Sequence, residues 1–104
     1  MDYKVVVTKD VEEDLERFVQ YLLFEKQNSQ AAVNVLNDFE ETVQVLSHVA
    51  GSLKLCDHPR LNALGYWKIH FLSHRYFMLY RIADGLAVVD NIFHDLQDHE
   101  NKIR

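Results

Sequence analysis

The stretch YWKIHFLSHRYFMLYRIADGLAVVDNIF, residues 66–93, contains three apolar runs rich in β-branched and aromatic residues. Runs of this composition are typical of β-strands, so we predict strands at Tyr66–Leu72, Arg75–Ile82 and Leu86–Phe93. Ser73-His74 separates the first two runs, and Asp84-Gly85, a strong signal for a two-residue hairpin, separates the last two. The stretch therefore predicts a three-stranded antiparallel meander.

The segment before the meander predicts one further strand and two helices. Tyr3–Val7 is short and rich in valine, which favours a strand. A helix follows, with a capping box of Asp10 and Glu13 at its start and Thr8 as the alternative cap. Ser29 is the predicted cap of the second helix. Each helix has one apolar stripe at helical spacing: Val11, Leu15, Phe18, Val19 and Leu22 in the first, and Ala32, Leu36, Phe39, Val43 and Leu46 in the second.

The order β-α-α-β-β-β predicts an α+β fold, in which an N-terminal strand is followed by an antiparallel two-helix hairpin and the meander. The short break between the helices favours a hairpin that covers one face of the sheet. Ala50–Asn62 contains a glycine and the only proline, so we predict a loop there. With 104 residues, the whole chain, 1–104, has the size of a single domain.

The composition is that of a globular protein in a reducing compartment. Apolar residues make up 48% of the chain and charged residues 26%, which is ordinary for soluble domains. The N-terminus does not resemble a signal peptide, and no apolar run is long enough to span a bilayer. We expect the single cysteine, Cys56, to be a small buried or half-buried residue. The sequence therefore predicts a cytoplasmic protein without membrane contact.

Charge is distributed unevenly along the chain. The net charge is −5, which argues against a general nucleic-acid binder. Residues 1–50 carry ten acids and four bases, residues 51–82 one acid and five bases, and residues 83–104 five acids and two bases. A basic segment inside an acidic molecule fits a restricted anion site, and it equally fits a basic patch that an acidic partner covers.

Strand alternation and two-residue turns predict which side chains share a face of the sheet. The Asp84-Gly85 turn would pair Ile82 with Ala87, Leu79 with Asp90, Phe77 with Ile92 and Arg75 with His94. The Ser73-His74 turn would pair Leu72 with Arg75, His70 with Phe77 and Lys68 with Leu79. One face then lies under the helices and is nearly all apolar: Trp67, Ile69, Phe71, Tyr76, Met78, Tyr80, Ile82, Ala87, Val89 and Phe93. The second face collects Lys68, His70, Arg75, Phe77, Leu79, Arg81, Asp90, Ile92 and His94.

The second face allows two interpretations. It can be a solvated sheet surface whose polar residues have no role. It can also be a contact site, because exposed Phe77, Leu79 and Ile92 would form an apolar strip rimmed with bases. In the second case the histidines and cations would lie together at one site.

Such a site would suit RNA cleavage without a metal. This reaction needs a base for the 2′-hydroxyl, an acid for the leaving oxygen, and positive charge beside the phosphorane. His70, His94 and His58 are candidates for the proton transfers, and Arg75 and Lys68 for holding the phosphate. Phe77 offers a surface for base stacking, and Arg81 is a further candidate for substrate binding.

A metal site is the rival chemistry for scattered histidines. Zinc sites usually show close ligand spacing, whereas His58, His70 and His94 are far apart and have basic residues among them. The chain has no recognisable P-loop, dinucleotide fingerprint or catalytic triad. We therefore expect neither a metal nor a cofactor.

Several features in order resemble the RelE/ParE superfamily of bacterial type II toxins. These are the β-α-α-β-β-β order, Leu79-Tyr80-Arg81-Ile82 before an acidic-glycine turn, and the closing Ile92-Phe93-His94-Asp95-Leu96-Gln97-Asp98. The resemblance covers nearly the whole chain. Within it, Asp57-His58-Pro59, His70 and His94 look like the histidines of the YafQ branch, which cleaves mRNA on the ribosome. Asp90 stands where that branch has a basic residue, and the ParE branch, which acts on DNA gyrase without cutting RNA, closes with similar histidine motifs.

The resemblance implies a toxin whose partner is a small cognate antitoxin that covers the basic face. Our main expectation is inhibition of translation by ribosome-dependent mRNA cleavage, with ribosome and mRNA as further partners. Two alternatives stay open: a non-catalytic toxin that inhibits DNA gyrase, and a degenerate toxin that acts mainly in a repressor complex with its antitoxin.

Overall fold

The computed structural model describes residues 2–53, 55–56, 59–71 and 76–94. Within them it has four strands, β1 Lys4–Val7, β2 Trp67–His70, β3 Tyr76–Ala83 and β4 Leu86–His94. The helices are α1 Lys9–Gln20, which continues into a π-helical turn at Tyr21–Glu25, then α2 Ser29–Val49, a 3-10 turn at Ala50–Ser52, and the short α3 Pro59–Ala63. No helix in this part of the chain is long and apolar enough to cross a membrane.

The strands form one sheet in the order β1-β4-β3-β2. The pairs β2–β3 and β3–β4 are antiparallel, as the meander requires, and β1 joins the far edge parallel to β4. A parallel neighbour needs a long connection. The segment with α1 and α2 leads from β1 at one edge of the sheet to β2 at the other, and β3 and β4 then lead back to β1. The α+β prediction is confirmed.

Helix α1 buries Val11 and Leu15 as its stripe predicts. The alternative cap of α1, Thr8, is confirmed in place of Asp10, and the cap of α2 lies one residue before the predicted Ser29. Thr8 is the N-cap of α1, although its side chain makes no capping bond, and the Asn28 carboxamide caps α2 by accepting a bond from the Ala31 N–H at 3.0 Å. Asparagine is as good an N-cap as serine, so the choice between neighbours depends on where the helix meets the turn.

The buried stripe of α2 differs in part from the predicted one. Ala32 and Leu46 are buried as expected, and Phe39 and Val43 pack against the core. Leu36 was predicted to be in the stripe, but it is 41% exposed, and Val35 and Thr42 are buried instead. Thr42 is tolerated there because its hydroxyl donates to the Asp38 carbonyl oxygen at 2.6 Å.

The turn between β3 and β4 is the predicted hairpin. Asp84 and Gly85 have φ angles of 51° and 78°, and they are flanked by the pairs Ala83–Leu86 and Ile82–Ala87. Positive φ at both central residues is the geometry that favours Asp-Gly, because glycine has no Cβ to clash.

Beyond this turn the predicted register of β4 is wrong. Tyr80 pairs with Val89 but Leu79 pairs with Asn91, so Asp90 is an extra residue in a β-bulge. The predicted pairs Leu79–Asp90, Phe77–Ile92 and Arg75–His94 are replaced by Leu79–Asn91, Phe77–Phe93 and Tyr76–His94. One extra residue inverts the faces of everything after it, so Ile92 moves beneath the helices and Phe93 moves to the second face.

The register of β2 is confirmed where the structure describes it. Lys68 pairs with Leu79 and His70 with Phe77. The predicted Ser73-His74 turn and the pair of Leu72 with Arg75 lie outside the described residues.

The sheet has a core on each face. The larger core lies between the sheet and the helices α1 and α2, and includes Tyr80 and Ile92, both 0% exposed. The second face carries a smaller core of Cys56, Leu61, Phe77, Leu79 and Phe93, with Tyr66 packed against it. The prediction that Phe77, Leu79 and Ile92 form an exposed strip is wrong, because α3 and its flanking residues cover Phe77 and Leu79, and the bulge places Ile92 beneath the helices. The prediction that Ala50–Asn62 is all loop is also wrong, because this segment contains the 3-10 turn and the start of α3. Cys56 is buried, as expected.

Tyr80 gives a first stability test. Its hydroxyl lies in the larger core and donates to the Ala50 carbonyl oxygen at 2.8 Å, and burial raises the pKa of this phenol. Tyr80→Phe is expected to lower the free energy of unfolding by about 1–2 kcal/mol, because the carbonyl loses its partner in a buried site. Urea denaturation measures this loss, and Tyr21→Phe at a 44% exposed position is the control. An equal effect in both variants would contradict the structural role of this bond.

Candidate functional site

The two strand histidines lie on opposite faces of the sheet. His70 packs against Phe77 on the second face, with 5.7 Å between ring centroids. His94 meets Tyr76 edge-on at 5.1 Å, and Tyr76 belongs to the core on the helix side. The prediction that His70 and His94 share a face is therefore wrong, and the reason is the bulge at Asp90.

Lys68 packs over the ring of Phe77 on the second face. The Lys68 ammonium lies over the Phe77 ring, 4.3 Å from its centroid, which is close enough for a cation–π interaction. Phe77 is only 2% exposed. The prediction that this ring offers a surface for base stacking is wrong, because the smaller core and Lys68 cover it.

Arg81 is tied to the residue that makes the bulge. Its guanidinium Nε donates to a carboxylate oxygen of Asp90, and the Arg81 side chain is 52% exposed. This hydrogen bond, followed by the charge of Asp90, raises the pKa of Arg81. Burial and then the charge of Asp90 raise the pKa of nearby Tyr66. Arg81 thus lies on the second face with Lys68 and His70 as predicted, but it forms an ion pair with the Asp90 carboxylate.

The other predicted site residues, His58 and Arg75, lie outside the described residues, so their roles stay predictions. Among the residues that the structure describes, no three His, Cys, Asp or Glu side chains are grouped closely enough to hold a metal ion.

A polar cleft on the helix side was not predicted. It has a volume of about 610 Å³ and lies between the first half of α2, the start of β3 and the end of β4. Asn34, Asn37 and Asp38 line it from α2, and Tyr76 and His94 line it from the sheet. One trace of the cleft is present in the sequence, because residues with carboxamide side chains recur along α2 at helical spacing. Such residues are also common on solvated helix faces, so the spacing alone does not predict a cleft.

Comparison with known proteins identifies the family. The model of the ParE toxin of the type II toxin-antitoxin system, parDE, matches residues 5–99. The chain belongs to this family. No curated protein sequence matches it.

The fold is also that of a solved ParE-type structure. The chain is similar to a protein described as the chromosomal ParDE toxin-antitoxin system from P. aeruginosa, with a TM-score of 0.69 and 16% identity. The match covers 88% of this chain and 95% of that one. At this identity the likeness concerns the fold alone. The family match makes the protein a ParE-like toxin of a type II system, and such a toxin has a cognate antitoxin as partner.

Proposed function

We propose that this ParE-family toxin inhibits DNA gyrase by binding it, without cleaving RNA. The observation that carries the proposal is the separation of His70 and His94 by the sheet. A general acid and a general base must each come within hydrogen-bond reach of the same reacting phosphodiester. Side chains that leave a sheet in opposite directions do not meet one phosphate, so these two histidines are a poor pair for the reaction. The family match points to the ParE branch, which the resemblance associates with gyrase.

The electrostatics also favour binding to a protein over RNA cleavage. Arg81 is paired with Asp90, and Lys68 lies over the buried Phe77 ring. The whole chain has a net charge of −5, whereas affinity for a nucleic acid depends mainly on cations that neutralise phosphates. A phosphate would have to compete with the Asp90 carboxylate for Arg81.

The proposed contact surface is the rim of the second face. Lys68 and His70 project there from β2, which is an edge strand, and Arg81 projects from β3 beside it. These residues surround a rigid, packed floor, which suits a protein–protein contact. Strand alternation predicts that Arg75 belongs to this surface, and the resemblance would add His58.

The test compares two variants of the purified toxin in gyrase supercoiling. His94→Gln is expected to inhibit supercoiling within about twofold of the parent, because His94 lies on the helix side. Lys68→Glu is expected to lose inhibition by about tenfold or more, because a charge in the contact is reversed. Lys4→Glu, an exposed lysine on the opposite edge strand, is the matched control and should resemble the parent.

Translation in a cell extract separates this proposal from its rivals. The parent should leave translation and mRNA intact. If the parent cleaves ribosome-bound mRNA and His94→Gln does not, the protein is a nuclease and the proposal is overturned. A parent that inhibits neither process, and that does not slow growth in a host without an antitoxin, would instead identify a degenerate toxin.

A further inference from the structure

The described residues that line the polar cleft between α2 and the sheet include an acidic side chain and carboxamides but no lysine or arginine. Its described lining includes one carboxylate, that of Asp38, and carboxamides of Asn28, Gln30, Asn34 and Asn37, whereas no lysine or arginine is among these residues. Eight of its ten described lining residues belong to residues 1–50, which carry ten acids against four bases. A positively charged ligand is therefore complementary to it.

The geometry of the lining suits a planar cation. A carboxylate can accept two parallel hydrogen bonds from a guanidinium, which an ammonium cannot provide in the same plane. Asp38 lines the cleft from α2. The Tyr76 and His94 rings, 5.1 Å apart, form an aromatic wall on the sheet side, against which a guanidinium can pack.

The size and the carboxamides indicate that the ligand is a peptide segment. A volume of about 610 Å³ is far more than one guanidinium needs and lies in the ordinary range for ligand sites. The Gln30 side-chain Nε2 donates to Oδ1 of the Asn34 side chain at 3.0 Å, which orients the Asn34 carboxamide. Carboxamides both donate and accept, like peptide groups, so a row of them along a helix can bond to the backbone of an extended chain.

We propose that this cleft binds an extended segment of the cognate antitoxin through an arginine that docks on Asp38. The inference does not depend on gyrase being the target, because the cleft lies on the helix side and the proposed gyrase contact lies on the second face. It assigns the cleft to antitoxin binding, in place of the basic face that the resemblance implies, and leaves the rim of Lys68, His70 and Arg81 to the target.

The test uses model peptides, with the full-length toxin labelled with ¹⁵N. An acetylated and amidated pentapeptide, Ala-Val-Arg-Val-Ala, is titrated beside versions with citrulline or lysine in place of arginine. The arginine peptide should shift the amide signals of Asn34, Asn37 and Asp38, and it should bind about tenfold more tightly than the citrulline peptide, which has the same shape but no charge. The lysine peptide should bind more weakly than the arginine peptide.

Two variants of the toxin isolate the carboxylate. Asp38→Asn should reduce the affinity of the arginine peptide about tenfold, to that of the citrulline peptide. Glu40→Gln removes the same charge from an exposed position two residues along α2, which faces away from position 38, and it should bind like the parent. Equal affinities of the arginine and citrulline peptides would overturn the proposal. So would an unchanged affinity in Asp38→Asn, or preferential binding of oligouridylate to the same residues.

Discussion

Replacing Ile92 by alanine is expected to lower the free energy of unfolding by about 2–4 kcal/mol, as large truncations in a packed core do. Ile92 is 0% exposed and belongs to the core between the sheet and the helices. The truncation removes three methyl or methylene groups and leaves a cavity that rigid strands cannot close. Urea denaturation with a fixed m-value measures the difference. The control is Leu36→Ala on α2, where the side chain is 41% exposed and the loss should be much smaller.

This experiment tests the burial of Ile92, whose place in the fold depends on the register of the hairpin. A regular ladder from the Asp84-Gly85 turn would place Ile92 on the second face, opposite Phe77. The bulge at Asp90 places Ile92 beside Met78, under the helices, and Phe93 beside Phe77. A loss below about 0.5 kcal/mol for Ile92→Ala would refute its place in the larger core.

The register near the turns could be predicted from the sequence, because turn chemistry acts locally. The Asp84-Gly85 pair requires positive φ angles, and the hairpin next to it has the expected pairs. The bulge could not be predicted in this way, since strict alternation assumes that every residue has a partner. The only trace in the sequence is that two polar residues, Asp90 and Asn91, precede two apolar ones, Ile92 and Phe93. Adjacent apolar residues that are both buried need either two covered faces or a change of phase, and here both occur.

The candidate site was predictable only in part for the same reason. Lys68, His70 and Arg81 lie on β2 and β3, whereas the extra residue lies in β4, so these three side chains share the second face as alternation predicts. His94 follows the bulge and lies on the other face. The helix-side cleft was missed because it forms where distant segments meet, at the start of α2 and the ends of two strands. Asparagine and glutamine residues on a helix do not by themselves indicate a binding site in a sequence.

The burial of the second face also depends on α3, a segment whose helical structure the local sequence does not predict. Five residues at Pro59–Ala63 are too few to show helical periodicity, and a proline with nearby glycines is typical of a loop. Leu61 is 2% exposed there and packs with Phe77, Leu79 and Phe93. A short segment that buries one large side chain can thus convert an open sheet face into a second core.

Replacing Leu61 by alanine is therefore expected to lower the free energy of unfolding by about 2–4 kcal/mol. Leu64→Ala, three residues along and 50% exposed, is the matched control and should lose less than about 0.5 kcal/mol. Hydrogen exchange should accelerate most at Phe77, Leu79 and Phe93, because the smaller core loses its cover, while exchange in the larger core at Val11 and Val89 should change less. A loss confined to the larger core would contradict the separation of the two cores.

The same variant connects the smaller core to the proposed contact with gyrase. Lys68 is held over Phe77, and Phe77 is held by Leu61 and Phe93, so loosening this floor should disorder the rim of the second face. Leu61→Ala is expected to weaken inhibition of supercoiling at a temperature where circular dichroism shows it to be folded. Binding of the arginine peptide to the cleft should be retained, because Asp38 and His94 lie on the other side of the sheet. Loss of both activities in the folded variant would indicate a single shared surface, and the assignment of target and antitoxin to opposite faces would then be wrong.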